Sequence, residues 1–484
     1  MAYLAFDIGS SSVKAALIAE DGKLLGIARR PLASLKTPGG IHESDASTWV
    51  EASLVAGAEA IAQAKAASPA HRVRALSVSG NGPTLVAVDV SGKPLGPALS
   101  WLDRRAVSEA AELSSIAGMV IDPTFYLPKA CRLWRQADED ERTKLRWFFS
   151  CPEYVAFALS GEACTYLPDS GYEPYIWNER FIAALGLPKD RFPPFAVPGA
   201  IIGSLVPEAA SRLGIEAGAP IVAGFPDFLA AVVGSAAVTP GAACDRTGSS
   251  EALNICSTRP SRDGRLFSLP HAVPRLWNVS GGVSSSGAGL EWLASILRTD
   301  VRGLLAEAKA ARRGVSEAGF LPYLSGERAP LWDASRRGVF FGLSMEQGRS
   351  ELCRAACEGM CYGLRLASEL ALADGLPFNL ARSSGRAAGE DFLCGLKADI
   401  LRVPVEVPEI LDCELLGDAA AIALALGDVS SLAEAALSLV RIARRFEPGE
   451  EKSEFEEGFA SYKAALNALE RPDRERVSHR KNPA

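Results

Sequence analysis

One short motif occurs twice in this 484-residue chain, first at residues 7–11 and again at residues 245–250. The first copy is Asp7-Ile-Gly-Ser-Ser and the second is Asp245-Arg-Thr-Gly-Ser-Ser, and each lies between two apolar segments. Two apolar segments joined by a tight polar turn predict a β-hairpin. Two copies of one hairpin predict two similar lobes that face each other, and a cleft between lobes is where small ligands bind.

The first turn combines small residues with charged neighbours. Asp7 stands at its entrance, Gly9, Ser10 and Ser11 form it, and Lys14 follows it. A chain that reverses this tightly exposes backbone N–H groups, and the serine hydroxyls add further donors, so the turn could bind phosphate. An ordinary hairpin turn would have the same composition, and this stretch alone leaves both interpretations open.

Two later loops share this composition, at residues 247–250 and 281–289. None of the three loops matches the lysine-bearing phosphate loop or the dinucleotide-binding fingerprint. Because they occur in duplicated hairpins, the loops together predict a nucleotide held between the lobes.

Asp227 is the strongest candidate for an acid–base residue. It follows the apolar segment 220–225 and Pro226, where the sequence predicts the start of a helix. The helix dipole would stabilise the charged carboxylate at that position, which suits a general base. A helix cap is the structural alternative, and on this residue alone it is the better explanation.

Composition narrows the class of protein further. A chain of 484 residues is longer than a single hydrophobic core can accommodate, so its length predicts two domains. Its content of 48% apolar and 23% charged residues is typical of soluble globular proteins. The net charge of −7 argues against a nucleic-acid or membrane-surface partner. The first residues do not resemble a signal peptide, and no apolar segment is long enough to span a membrane, so we expect a cytoplasmic protein.

Ten cysteines are scattered along the chain, mostly in apolar surroundings, as expected for reduced thiols in a core. Cys353, Cys357 and Cys361 recur every four residues and would line one face of a helix, where three thiolates could in principle hold a metal. Only four histidines exist to complete such a site, and the neighbours are Ala, Leu and Met. We therefore interpret these cysteines as a packing stripe.

Four segments resemble the FGGY carbohydrate kinases, and the chain is identified as a xylulokinase-like member of that family over Tyr3 to roughly Val440. In chain order these segments are FDIGSSSVKAALI, AGFPDF, PYLSGERAPLWD and GVFFGLSMEQGRSELCRAACE. The family resembles actin, heat-shock chaperones and hexokinase in fold. The resemblance therefore implies an α/β protein with two ribonuclease H-like domains flanking a central cleft.

The resemblance also implies domain boundaries. An N-terminal domain that binds sugar and carries the catalytic aspartate would span residues 1–238. A C-terminal domain that binds the nucleotide would span residues 239–445. Residues 446–484 would form a C-terminal helix and a disordered tail.

The implied activity is transfer of the γ-phosphate of ATP to a sugar hydroxyl, with ATP and Mg²⁺ as cofactors. Asp7 would orient the magnesium ion through water, and Asp227 would take the proton from the sugar hydroxyl. Gly281 would approach the nucleotide from the second lobe. The residues that would contact phosphates are Gly9, Ser10, Ser11, Lys14, Thr247, Gly248 and Ser249.

Two segments depart from the family pattern. Many relatives have three consecutive glycines at the adenosine-binding turn, where this chain has Ser384-Gly385-Arg386. The Arg386 side chain would either block adenine or stack on it. Ketose kinases have Gln-Met-His, and glycerol kinases Arg-Glu, in the region where residues 79–84 read Ser-Gly-Asn-Gly-Pro-Thr here.

The second departure concerns the sugar pocket. Only Asn81 and Thr84 can contribute side-chain hydrogen bonds there, because Gly82 has no side chain and the Pro83 ring has no donor. We expect the vacated space to admit a substrate bulkier than glycerol. Trp101 could supply an apolar wall, and Asp103 a replacement acceptor.

These observations favour an ATP-dependent kinase of a ketose, with xylulose first and glycerol a poor substrate. A kinase of another polyol or an aldonate is an alternative. A non-catalytic sugar or nucleotide sensor would explain the altered turn at 384–386, but Asp7, Lys14 and Asp227 argue against it. A chaperone-type ATPase would need an additional peptide-binding domain, and we expect no such domain in the segment that follows residue 470. The expected partners are a small sugar and ATP, without nucleic acid or membrane, and a homodimer is compatible with the resemblance.

Overall fold

The computed structural model of the chain describes residues 1–33, 35–37, 41–311, 318–449 and 452–469. Contacts between residues divide the chain into two compact units. Unit 1 consists of Met1–Gly234, Pro270–Pro274 and Cys413–Arg441. Unit 2 consists of Ser235–Leu269, Arg275–Asp412 and the chain from Ile442 onward.

The strands are numbered along the whole chain. They are β1 (Ala2–Ile8), β2 (Ser12–Ala19), β3 (Leu24–Pro31), β4 (Leu35–Thr37), β5 (Ile41–Ser44), β6 (Val73–Gly80), β7 (Leu85–Val88), β8 (Ala98–Leu99), β9 (Trp147–Ser150), β10 (Thr165–Tyr166), β11 (Phe195–Ala196), β12 (Ile201–Ser204), β13 (Pro220–Pro226), β14 (Ala242–Thr247), β15 (Glu251–Ser257), β16 (Phe267–Pro270), β17 (Trp277–Val283), β18 (Gly319–Leu321), β19 (Val339–Phe341), β20 (Leu380–Gly385), β21 (Val405–Pro408) and β22 (Ile442–Phe446).

The α-helices are numbered in the same way. They are α1 (Ser47–Ala67), α2 (Val107–Ala117), α3 (Tyr126–Gln136), α4 (Glu139–Lys144), α5 (Cys151–Ser160), α6 (Glu179–Ala184), α7 (Pro207–Leu213), α8 (Asp227–Gly234), α9 (Gly287–Ile296), α10 (Val301–Ala310), α11 (Arg349–Ala373), α12 (Asp391–Leu401), α13 (Cys413–Ala425), α14 (Leu432–Leu439) and α15 (Lys452–Ala468). None of these helices, within the described part of the chain, is long and apolar enough to cross a membrane.

The main sheet of unit 1 has the strand order β12-β13-β6-β1-β2-β3. Strands β1 and β2 form the predicted antiparallel hairpin, while β1, β6 and β13 run parallel to one another. Every residue of β1 is buried, because helix α13 packs on β1, β6 and β13 and helix α1 packs on β2 and β3. This explains why the strand is a continuous apolar run rather than an alternating one. A second sheet, β4-β5-β8-β7-β9, and the pair β10-β11 complete the strands of unit 1.

The main sheet of unit 2 repeats this arrangement. Its order is β16-β17-β15-β14-β20-β21-β22, with an antiparallel β14–β15 hairpin and β20 and β21 parallel to β14. The run β17-β15-β14-β20-β21 therefore corresponds to β3-β2-β1-β6-β13 of unit 1. Each run also ends in an antiparallel strand, β22 in unit 2 and β12 in unit 1. The duplication predicted from the two hairpins is present in the topology.

The structure changes one part of the predicted domain division. Residues 413–441 were assigned to the C-terminal domain, but this segment packs within unit 1. The physical reason is that α13 covers β1, β6 and β13 and also packs on α8. The chain crosses between the units at Gly234 and Ser235, close to the predicted boundary at 238. The predicted disordered tail lies outside the described residues.

All ten cysteines are free and buried. Cys353, Cys357 and Cys361 lie on α11 and belong to the apolar core of unit 2, together with Phe459 and Tyr462 of α15. The packing interpretation of this cysteine stripe is therefore supported by its surroundings.

Candidate functional site

The candidate site of unit 1 lies at one edge of its main sheet. Strands β1, β6 and β13 are neighbouring parallel strands, so their carboxyl ends meet at the same edge. Asp7 lies near the end of β1, Asn81 follows β6 and Asp227 follows β13. The carboxyl edge of parallel strands is where ligands bind in open α/β sheets.

Asp7 is a buried carboxylate with one occupied and one unpartnered oxygen. Lys14 lies opposite it in the β1–β2 register, and the Lys14 Nζ atom is 3.0 Å from Asp7 Oδ2. Asp7 Oδ1 is enclosed and has no hydrogen-bond partner among the described residues. A buried carboxylate oxygen in that state suits a cation or an ordered water.

Burial raises the pKa of Asp7 above its ordinary value, to about 6. The charge of Lys14 opposes this rise, whereas the nearby carboxylates of Glu414 and Asp227 add to it. The negative charges of Glu414 and Asp227 therefore repel the charge of Asp7 within unit 1, and a bound cation would reduce this repulsion.

Asp227 is the first residue of helix α8, as the sequence predicts. Its side chain is half-buried, and its Oδ1 atom accepts a hydrogen bond of 2.7 Å from the backbone N–H of Phe228. The helix dipole favours the charged carboxylate at this position.

The turn of the first hairpin contacts one of the predicted sugar residues. Ser10 and Ser11 are exposed, while the Gly9 N–H donates to the Ser12 carbonyl at 3.0 Å. The indole Nε1 of Trp101 donates to Ser10 Oγ at 2.8 Å. The structure thus places Trp101 beside the predicted phosphate turn.

Asn81 is engaged inside the protein. Its side-chain Nδ2 donates to the Ile8 carbonyl at 2.9 Å, and its Oδ1 accepts from the Thr84 hydroxyl. The Thr84 hydroxyl oxygen in turn accepts a hydrogen bond of 3.1 Å from the backbone N–H of Trp101. This chain of bonds links the 81–84 loop both to the end of β1 and to Trp101.

The sequence predicts that Asp103 accepts a hydrogen bond from the sugar, but in the structure its carboxylate is occupied inside the protein. The carboxylate is almost completely buried and accepts from the Arg105 Nε at 2.9 Å and from the His42 N–H at 3.3 Å. Burial raises the pKa of Asp103, but the bonds from Arg105 more than compensate and hold it below its usual value. Because Arg105 also pairs with Glu43, Asp103 acts as an internal anchor for that arginine.

The space beside Gly82 is also not as predicted. A side chain at residue 82 would overlap the hydroxyl of Tyr126, which reaches this position from the start of helix α3. The volume expected to be vacant next to Gly82 is therefore filled. Sequence reasoning missed Tyr126, because the segment around it carries no binding motif and lies 44 residues from Gly82 along the chain.

Lys129 on the same helix was missed as well. It is fully buried, and its Nζ donates to the carbonyls of Pro83 at 2.7 Å and Ser100 at 2.6 Å. Burial lowers the pKa of Lys129 to about 7, while the carboxylates of Asp103 and Asp122 oppose this shift. One side chain thus joins the two loops that carry the predicted sugar residues.

The candidate nucleotide site of unit 2 is formed by three loops. Gly248 and Ser249 are exposed in the β14–β15 turn, and a side chain at Gly287 would overlap the Gly248 carbonyl. Gly385, at the end of β20, has φ +83° and lies so close to the Thr247 carbonyl that a Cβ atom would collide with it. Only glycine meets both requirements at residue 385. The turn also lies beside the N-terminus of α9, a position that favours anions.

A buried ionic network supports this turn. The Lys397 Nζ atom lies 2.6 Å from Asp245 Oδ2 and also pairs with Glu251. The Thr247 hydroxyl donates to Glu251 Oε1 at 2.8 Å and accepts from Lys397 at 3.0 Å, so its side chain is occupied internally. Burial raises the pKa of Asp245 to about 7, and Lys397 opposes that rise.

Arg386 and Gly281 are also predicted to contact the nucleotide, but the first is exposed and the second is buried. The Arg386 side chain is 82% exposed, and its only ion pair in the described chain is with Glu291 at 3.5 Å. Gly281 is buried within β17, where a side chain would press on Ala367 of α11. Packing, rather than an approach to the nucleotide, accounts for the glycine at 281.

Comparison with known proteins identifies the family through two matched regions, of which the second runs into the segment 413–426 that packs in unit 1. Residues 2–234 match the N-terminal domain, and residues 246–426 the C-terminal domain, of the FGGY family of carbohydrate kinases. The chain belongs to this family. It is therefore a phosphotransferase that acts on carbohydrates, with two domains of the ribonuclease H-like fold, and its family implies ATP as the phosphate donor.

Individual relatives differ in the sugar they are named for. The chain is 29% identical to the xylulose kinase of Escherichia coli K12 over 420 residues, which cover 82% of this chain and 84% of the relative. It is 27% identical to the gluconokinase of Bacillus subtilis 168 over 451 residues, covering 86% and 85% of the two chains. A solved "xyloylose kinase" from Brucella ovis has a TM-score of 0.83 and 27% identity, covering 97% of this chain and all of that one.

Proposed function

We propose that this protein transfers the γ-phosphate of ATP to a hydroxyl of a small ketose, with xylulose as the first candidate, in the cytoplasm. The observation that carries the proposal is the meeting of Asp7, Asn81 and Asp227 at the carboxyl edge of three parallel strands. The similarity to the xylulose kinase of Escherichia coli supports the choice of sugar.

Asp227 is the proposed general base. Its carboxylate takes the proton from the sugar hydroxyl as the hydroxyl oxygen attacks the γ-phosphorus, and the bond from that phosphorus to the β,γ-bridging oxygen breaks to release ADP. Its position at a helix N-terminus favours the charged carboxylate, and its half-buried side chain is able to meet a substrate. Asn81 and Trp101 hold the neighbouring loops in place through Thr84.

Asp7 is the proposed magnesium residue. Mg²⁺ prefers oxygen ligands and keeps several of its waters, and the unpartnered, buried Asp7 Oδ1 fits an ion held directly or through water. When bound, the ion would neutralise charge on the phosphates. Lys14 and the N–H groups of Ser10 and Ser11 would bind phosphate oxygens, whereas the Gly9 N–H already donates to the Ser12 carbonyl.

The nucleotide is assigned to unit 2. In the exposed turn at Gly248 and Ser249, the Ser249 backbone N–H would contact phosphates, since the Thr247 hydroxyl and the Gly248 N–H are already occupied. Gly385 lets two loop backbones approach closely, and the exposed Arg386 guanidinium could lie flat on adenine.

A substrate panel tests the proposal. Phosphate transfer from Mg-ATP would be measured with D-xylulose, D-gluconate and glycerol as acceptors, and kcat/KM compared. We expect xylulose to be the best acceptor and glycerol a poor one. A preference for gluconate would favour the aldonate alternative, which the similarity to a gluconokinase supports. Binding of Mg-ADP without turnover of any acceptor would instead indicate a sensor.

A further inference from the structure

Tyr126 has a position that the sequence did not reveal. It is the first residue of helix α3, it is half-buried, and its hydroxyl occupies the space that a side chain at Gly82 would need. Gly82 belongs to the loop that follows β6, beside Asn81 at the carboxyl edge of the sheet. The Tyr126 hydroxyl thus reaches the part of unit 1 where the acceptor is proposed to bind.

The Tyr126 hydroxyl is unused by the protein. Among the described residues, none forms a hydrogen bond with it, and it is not one of the fully enclosed polar atoms. A tyrosine hydroxyl that is half-buried ordinarily finds a partner. Burial, with the carboxylates of Glu153 and Asp227 nearby, raises the pKa of Tyr126 well above its usual range, so the hydroxyl stays neutral and able to donate.

The Tyr126 ring is held in one place. It packs edge-to-face on Trp177, with ring centroids 6.2 Å apart, and Trp177 is itself buried against Phe192. One helical turn further on, Lys129 of the same helix bonds to the carbonyl of Pro83, next to Gly82. The hydroxyl is therefore fixed relative to the 81–84 loop before any sugar arrives.

We propose that Tyr126 is a specificity-determining residue for the acceptor: its hydroxyl bonds to a sugar hydroxyl close to the one that is phosphorylated, and its ring limits the width of the acceptor beside Gly82. This rests on the proposed function, because it assigns a role in the same acceptor site. Tyr126 replaces the polar group that Gly82 cannot provide, and the acceptor it selects is a narrow, open-chain ketose.

The test separates the hydroxyl from the ring. Tyr126→Phe keeps the packing on Trp177 and removes the hydroxyl, so we expect kcat/KM for the best acceptor to fall about 10- to 100-fold while KM for Mg-ATP is unchanged. Tyr3→Phe is the matched control. It also removes a tyrosine hydroxyl, one that bonds to Asp428 at the opposite end of β1 from Asp7. This control should lower stability without changing selectivity among acceptors.

Deoxy analogues of the acceptor, each lacking one hydroxyl, identify the bonded group. The analogue that lacks the hydroxyl contacted by Tyr126 should be used equally well by wild type and Tyr126→Phe, whereas the other analogues should keep the full difference. Tyr126→Ser removes the ring, and we expect it to accept branched or bulkier polyols that wild type rejects.

The outcomes distinguish the two proposals. A wild-type enzyme that phosphorylates an acceptor, with Tyr126→Phe equal to it on every acceptor and analogue, would overturn the role of Tyr126 and leave the kinase function intact. The same conclusion follows if Tyr126→Phe loses activity on all acceptors and analogues by one factor, because that pattern indicates a structural role. A wild-type enzyme that phosphorylates nothing would overturn both.

Discussion

At the scale of single residues, the two carboxylates proposed for the chemistry have contrasting surroundings. Asp227 is half-buried at a helix N-terminus, where the dipole favours its charge. Asp7 is buried between strands, with a pKa raised to about 6. One residue is therefore suited to accepting protons from a substrate, and the other to losing its own proton when a cation binds.

Asp227→Asn is expected to lower turnover about 10²- to 10⁴-fold while nucleotide affinity persists. The amide oxygen can still accept the bond from the Phe228 N–H, so the start of α8 is retained. The matched control is Asp300→Asn, which changes another aspartate that accepts a backbone N–H at a helix start, here at 2.7 Å from Gly303. Steady-state kinetics on both variants measures the change in turnover. Near-normal turnover of Asp227→Asn would show that Asp227 is a helix cap and not the general base.

Magnesium affinity is expected to depend on pH through Asp7. Below a pH of about 6, Asp7 is protonated in the metal-free protein and must lose its proton to bind a cation, so affinity should fall as the pH drops through that value. Glu414→Gln removes a negative charge that raises the pKa of Asp7, so the loss of Mg²⁺ affinity should occur at lower pH in this variant. Calorimetric titration with Mg²⁺ and ADP between about pH 5 and 8 measures both curves. A shift to higher pH in the variant would contradict the assignment.

At the scale of elements, helix α3 connects the two sugar loops. Tyr126 at its start faces Gly82, and Lys129 one turn later bonds to the carbonyls of Pro83 and Ser100. The loop positions are therefore set by a helix whose sequence carries no recognisable binding motif.

Lys129→Met is expected to raise KM for the acceptor and to destabilise the fold by about 2 kcal/mol, because two buried carbonyls lose their donor. KM for ATP should stay the same, since Lys129 contacts only loops of the sugar site. The matched control is Lys65→Met, which removes a lysine that also donates to a backbone carbonyl, Gly214 O at 2.7 Å, but at an exposed site. Equal effects of the two substitutions on acceptor KM would disprove the role of Lys129.

The elements that the sequence predicted well are those with local signals. The two hairpins follow from their turns, and helix α8 begins at Asp227, where the sequence predicts the start of a helix. Strand β9 (Trp147–Ser150) lies between helices α4 and α5, and its apolar residues pair with β7. That strand depends on a partner distant in sequence, which a local pattern cannot show.

The same distinction applies to the candidate site. Asp7 and Asp227 could be predicted because each stands directly after or within a strand that has a recognisable turn beside it. Lys129 and Lys397 could not, because their partners lie far away along the chain; Lys397 and Asp245 are 152 residues apart. Asp103 is a different case: its main partner, Arg105, is only two residues away, and the His42 N–H from strand β5 completes its surroundings.

At the scale of the whole molecule, unit 1 is assembled from separated parts of the chain. Helix α13 follows most of unit 2 in the sequence, yet it packs in unit 1 and covers β1, β6 and β13. Its buried face includes Leu415, Leu416, Ala419 and Ala420. Nothing local in the segment CELLGDAAAIALA shows which sheet it covers, so the sequence could not predict this return.

A fragment that ends at Gly234 is therefore expected not to fold cooperatively, because the strands that α13 covers would expose their apolar side chains. A second fragment, in which a flexible Gly/Ser linker joins Gly234 to Cys413–Arg441, should regain a cooperative thermal transition. Near-ultraviolet circular dichroism and thermal melts compare the two. A sharp transition in the short fragment would show that α13 is dispensable.

The return of α13 also has a consequence for how the protein is made. A ribosome that has completed Gly234 must still add the residues up to Arg441 before unit 1 can close. At the usual rates of synthesis this takes roughly 10 to 40 s, during which an unfinished sheet stays uncovered. We expect nascent chains stalled between these two points to bind chaperones, and chains released after Arg441 to escape them.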